Sequence, residues 1–162
     1  MTRRRSMGQK HSPFKVLSID QKETLRAALE PLRKQHHFAT YCAAETIMAK
    51  RIMHCQWPQV VLLNLEIPNV DACAIARELR LVLQGKSCLM IAVAAWMNER
   101  RRRRCADADI DVVLLAPIDR DNLETLLMLE FDLVNRQRKP KCCHNKANCS
   151  NRVQHSNERR SH

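Results

Sequence analysis

Asn64 is the residue around which this sequence turns. It ends an apolar run, PQVVLLN, and Ile67-Pro68 follows three residues later. An unbroken run such as Val60–Leu63 marks a strand covered on both faces of a parallel sheet. In open α/β sheets the chemistry gathers just outside the carboxyl ends of the strands, where Asn64 falls. A catalytic or signalling residue is expected at that place. An amide is neutral and a poor nucleophile, so Asn64 is expected to hydrogen-bond loop amides instead.

The other polar groups of that region are few. Asp20 follows the apolar segment FKVLSI and reads first as a helix cap, with Glu23 three residues on, and second as a residual metal ligand. Asp20 with Glu66 makes a poor Mg²⁺ site, since that ion favours carboxylate and other hard oxygens. No cofactor is expected. In the tail, Cys142, Cys143, His144, Cys149 and His155 supply zinc-type donors, but adjacent cysteines depart from the usual CxxC knuckle. Arg100–Arg104 form the densest charge run, read either as a solvated helix face or as a docking surface for an acidic partner. Asp107, Asp109 and Asp111 stand close enough in sequence to neutralise part of it.

Five strand-like segments alternate with five helix-like ones. Strands are expected at 14–19, 37–42, 59–64, 87–95 and 111–116. The helices between and after them begin after Asp20, at Ala43, near Val70, after Asn98 and at Arg120. Leu25, Ala28, Leu29 and Leu32 line one face of the first, which Pro31 should kink or shorten. Ile47, Met48 and Ile52 are expected inward on the second, and Ile75, Leu79, Val82 and Leu83 on the third. Leu123, Leu126, Leu127, Phe131 and Val134 are expected to bury the fifth. Such alternation implies a flavodoxin-like, doubly wound, five-stranded parallel sheet of order 2-1-3-4-5 with five helices.

The 162 residues carry a net charge of +11. Residues 1–13 hold +4 and residues 136–162 hold +7, so the 14–135 domain sums to zero. Both ends are therefore expected to be disordered basic arms able to attract nucleic acid or another polyanion. They offer almost no aromatic side chains for stacking on bases. The longest apolar stretch, Leu89–Met97, has nine residues, too few to span a membrane. With no signal-like apolar core at the start and five cysteines in or beside apolar segments, a reducing cytoplasm is the expected setting.

From Phe14 to Asn135 the sequence resembles the receiver domain of two-component response regulators. VLSID sits where the family has its first strand, and PQVVLLN-x-x-IPNVDA resembles PDLVLLD-x-x-MPxMDG. ARELR, IAVAA and LLAPID resemble the third helix and the ends of the fourth and fifth strands. Asn64 to Ala94 spans thirty residues and Ala94 to Ala116 twenty-two, intervals the family shares. Receivers take a phosphoryl group from a histidine kinase onto an aspartate, beside a Mg²⁺-binding acidic pair, a Thr/Ser hydroxyl, a lysine and a switch aromatic. The resemblance therefore implies that Asp20 keeps one acid and Gln21 replaces the other. It implies also that Asn64 replaces the phosphoacceptor, Ala94 the hydroxyl, Ala116 the lysine and Val113 the aromatic, while Pro117 is kept and Ala72 replaces a glycine. A chain so altered would be a non-enzymatic pseudo-receiver in a phosphorelay context, acting by protein–protein contact through the fourth helix, fifth strand and fifth helix. The alternative is polyanion association through the basic arms, with the α/β domain as scaffold.

Overall fold

Val60–Leu63 lie in the middle strand and are wholly buried. The computed structural model describes residues 13–138, so the basic ends, including Cys142, Cys143, His144, Cys149 and His155, lie outside the described residues. Ten elements alternate along the chain: β1 (Lys15–Ile19), α1 (Thr24–His36), β2 (Ala39–Ala43), α2 (Thr46–Gln56), β3 (Val60–Asn64), α3 (Ala72–Leu83), β4 (Leu89–Ala94), α4 (Glu99–Asp107), β5 (Val112–Leu115) and α5 (Arg120–Arg138). The strands pair in parallel in the order β2-β1-β3-β4-β5.

Alternation along the strands divides the core in two. Val61 and Leu63 join Leu17, Ile19, Met90 and Ala92 under α2 and α3. Val60 and Leu62 join Val16, Ile91 and Val93 under α1 and α5. Both faces of β3 are covered, so its apolar run is continuous. Phe14, just ahead of β1, packs edge-on against Phe38 and Phe131 and closes the second core. The flavodoxin-like order and the five helices are as the sequence implied.

Two local expectations are corrected. On α2 the buried residues are Ala49 and Met53, with Ile52 half-buried, while Ile47 and Met48 are 73% and 49% exposed. The helix starts at Thr46 rather than Ala43, and at 100° per residue Ile47 lies about 200° from Ala49. Pro31 does not shorten α1, which runs thirteen residues through it. Its ring stands on the exposed side, where the missing N–H removes one helical bond and little else.

Met53→Ala should cost roughly 2–5 kcal/mol, because it opens a cavity beneath α2. Ile47→Ala should stay within about 0.5 kcal/mol. Urea unfolding of the two variants measures the contrast, and equal losses would move the buried face of α2.

Candidate functional site

Four strands deliver their ends to one crevice. Asp20 follows β1, Asn64 ends β3 and Ala94 ends β4, while Ala116 follows β5 and donates its N–H to the Ala94 carbonyl. Asp20 Oδ1 accepts the Lys22 N–H at 3.0 Å and the Asn64 Nδ2–H at 2.9 Å, and Oδ2 accepts the Leu25 N–H at 3.1 Å. Burial works against its charge, but the hydrogen bonds from Lys22, Asn64, Leu25 and Thr24 outweigh it and hold the carboxyl below its ordinary 3.8. Asp20 thus caps the approach to α1. The expected reciprocal box does not form: the Asp20 N–H goes to Ala43, and Glu23 pairs with Arg26.

Asn64 uses both ends of its amide. Nδ2 donates to Asp20, and Oδ1 accepts the Glu66 N–H at 2.9 Å. Glu66 then reaches across to the β4–α4 loop, where Oε1 accepts the Ala95 N–H at 3.0 Å and an Arg101 N–H at 2.8 Å. Burial again opposes the charge, and Ala95 and Arg101 together hold the carboxyl below 4.5. Arg101 also donates to the carbonyls of Leu65 at 3.2 Å and Trp96 at 3.1 Å, and its guanidinium lies 4.6 Å from the Trp96 ring centre. Asp20, Asn64, Glu66 and Arg101 form one continuous polar chain joining the β1, β3 and β4 ends.

A divalent cation does not fit these residues. Both Asp20 oxygens are occupied by N–H donors, and Glu66 faces a guanidinium. Gln21 is exposed and turned to none of these groups, Ala94 is wholly buried, and Ala116 is exposed. Val113 is half-buried against the α2–α3 core. A groove of about 1120 Å³ lies elsewhere, between α1 and the edge strand β2, where Arg26 and Arg33 are already paired with Glu23 and Glu30.

The arginine run is divided by its partners. Arg101 binds Glu66, Arg103 binds Glu99 one turn back, and Arg104 binds Asp71 at 2.9 Å. Arg100 and Arg102 are exposed and make no ion pair among the described residues. Asp107, Asp109 and Asp111 do not neutralise the run; Asp111 and the Asp109 carbonyl instead hold Arg80 of α3. Sequence spacing missed the Glu66–Arg101 contact, because its partners are thirty-five residues apart, one on the β3–α3 loop and the other on α4.

No protein-family model and no curated protein sequence matches the chain. Solved structures do. The response regulator receiver domain protein (CheY-like) of Methanospirillum hungatei superposes with a TM-score of 0.67 at 12% identity, over 78% of this chain and 99% of that one. The chain has the receiver-domain fold. The signal receiver domain of a DNA-binding response regulator from Colwellia psychrerythraea matches at 0.64 and 19% identity, over 74% and 98%. That of a signal transduction histidine kinase from Syntrophus aciditrophicus matches at 0.65 and 16%, over 80% and 98%.

Asn64→Asp would exchange an N–H donor for a carboxylate oxygen facing Asp20. One of the two carboxyls would then have a folded pKa above its unfolded value. Such a penalty is absent below the unfolded pKa near ~4 and grows as pH rises through the folded one. At pH 7 the variant should be less stable by about 1–3 kcal/mol, and millimolar Mg²⁺ should raise its Tm but not that of the wild type. Thermal melts with and without Mg²⁺ check this, and equal responses from the two proteins would sink it.

Proposed function

We propose that this chain is a pseudo-receiver: a signalling module that takes no phosphoryl group and acts by phosphorylation-independent protein–protein contact in a two-component or phosphorelay context. The observation that carries the reading is the Glu66 carboxylate on the Ala95 N–H and the Arg101 guanidinium. By the resemblance, a receiver's phosphoryl oxygens would tie the end of the third strand to the end of the fourth. Here a carboxylate of the chain itself ties the loops after β3 and β4, and a guanidinium supplies the cation. Asn64 offers no carboxylate to form an acyl phosphate, and Ala94 and Ala116 offer neither hydroxyl nor ammonium. Both loops are held without any phosphate.

The surface proposed for the partner is α4, β5 and α5. Its charged features are Arg100 and Arg102, since Arg101, Arg103 and Arg104 are already engaged. Leu115, Leu129 and Leu133 add exposed apolar area on β5 and α5. Val113 sits beneath this face as an aliphatic side chain, without the swing that a switch aromatic would provide. An acidic protein surface with an apolar centre has the complementary chemistry. No described helix is long and apolar enough to cross a membrane.

Incubation with acetyl phosphate and Mg²⁺ should leave the intact mass unchanged, whereas an acyl phosphate would add about 80 Da. A labile adduct of that size would overturn the reading. In the full chain, Arg100→Glu with Arg102→Glu should slow association with a captured acidic partner, with Tm within about 1 °C of wild type. Arg101→Ala should instead lower Tm, because it leaves Glu66 and two carbonyls without their donor. If the double variant binds as well as wild type while a chain lacking 139–162 does not, the basic tail is the contact and the polyanion reading takes its place.

A further inference from the structure

The two ends of the described chain leave the domain side by side. All five strands are parallel, so they begin at one pole, and each helix that follows a strand returns to it. Residue 13 leads into β1 at that pole, and α5 ends there at Arg138. An aromatic knot fixes the two exits to each other. The Phe14 ring meets Phe131 of α5 edge-on with centroids 5.5 Å apart, and Phe38 of the α1–β2 turn at 6.1 Å. From Phe131 to Arg138 is about 10 Å of helix. The crevice of Asp20, Asn64 and Glu66 lies at the other end of the strands.

The described surface around the knot is basic. Lys34 and His37 are exposed where α1 gives way to β2, and Arg136 and Arg138 are exposed in the last turn of α5. Residues 31–43 contain no acid, and Asp132 is the one acid of residues 131–138. Lys34 reaches Glu30 only at 3.6 Å. Asp109 and Asp111 share the pole but precede β5, at the opposite edge of the sheet from β2, and the Asp111 carboxylate is taken by Arg80. To this surface residues 1–12 add Arg3, Arg4, Arg5 and Lys10 without an acid, and residues 139–162 add six Lys/Arg against Glu158.

We infer that the two arms and the basic surface between their roots form one composite site for the phosphate backbone of a nucleic-acid duplex. Neither arm contains Phe, Tyr or Trp, so neither offers a platform for the unstacked bases of a single strand. A duplex instead presents one phosphate charge per about 1.7 Å of its axis, and cations that neutralise it release counterions. Twelve and twenty-four residues reach at most about 40 and 80 Å, enough for both arms to meet the same stretch. The common root makes them act together: once one arm is bound, the second binds as an intramolecular partner. Such contacts hold phosphates and carry no base readout. This site goes beyond the proposed docking surface and stands whether or not α4 binds a protein. A duplex held at this pole leaves the crevice at the opposite end uncovered.

The test is titration of the full-length protein with a fluorescent DNA duplex of about 20 base pairs and arbitrary sequence, in dithiothreitol and at a series of salt concentrations. One variant carries Arg3→Gln, Arg4→Gln and Arg5→Gln, and another Lys139→Gln, Lys141→Gln, Arg159→Gln and Arg160→Gln. Each should bind at least about tenfold more weakly at ~0.1 M salt, and the slope of log K against log salt should become shallower by about 3 and about 4. Lys34→Gln with Arg136→Gln should flatten it by about 2, with Tm within about 1 °C of wild type. The wild type should take one duplex per chain. Two independent duplexes per chain would overturn the joint site, as would an unchanged slope in either arm variant. Equal or tighter binding of a single strand of the same length, or of poly-glutamate, would overturn the assignment to a duplex.

Discussion

Parallel strands direct their carboxyl ends, and the helix N-termini that follow them, into one crevice, and these leave backbone N–H groups in need of acceptors. Four polar side chains at this end of the molecule answer that need. Asp20 accepts from Lys22 and Leu25 at the start of α1, Asp71 caps α3 through the Cys73 N–H, and Asn98 caps α4 through the Arg101 N–H. Glu66 takes the Ala95 N–H. Once carboxylates are committed to these donors, the positive charges around them are placed in turn. Arg101 and Arg104 are positioned by Glu66 and Asp71.

The same constraint bears on the choice of an amide at position 64. Asn64 lies between Asp20 and the Glu66 N–H, and it must offer a donor on one side and an acceptor on the other. An amide does both, whereas an ionised carboxylate only accepts. Arg101 and Glu66 are 17% and 39% exposed, so the pair is worth little as a free-standing ion pair. Its importance is geometric: one guanidinium joins Leu65 and Glu66 to Trp96, and thus the loop after β3 to the loop after β4.

How far the sequence showed this depends on the range of each interaction. The sheet order was legible because Val60–Leu63 and Leu89–Ala94 are apolar without a break, which only strands covered on both faces tolerate. Asn64 was legible as a strand end for the same reason, whereas Ala94 and Ala116 stood out through the resemblance, and the fourth and fifth strands end one residue earlier than expected, at Ala94 and Leu115. The inward face of α2 was not. It depends on where the helix begins, and Glu45 at its N-cap has no side-chain bond to mark the spot. The division of the arginine run was also hidden. Consecutive arginines look alike in sequence, and only the fold decides that Glu66 and Asp71 stand opposite Arg101 and Arg104 while Arg100 and Arg102 face outward.

That division gives α4 its character. Its sequence, ERRRRRCAD, buries one side chain, Cys105, where α3 buries six. Apolar burial fixes α3 to the sheet, whereas α4 has almost none to contribute. Its position is set instead by the Asn98 cap and by Arg101 and Arg104 at two acids. Interactions of this kind respond to salt and to the charge of a neighbouring surface, whereas buried leucines do not. A helix held mainly by polar contacts opens at lower cost than one held by a core. The placement of α4 can therefore be biased from outside, and this helix carries Arg100 and Arg102, which make no ion pair among the described residues.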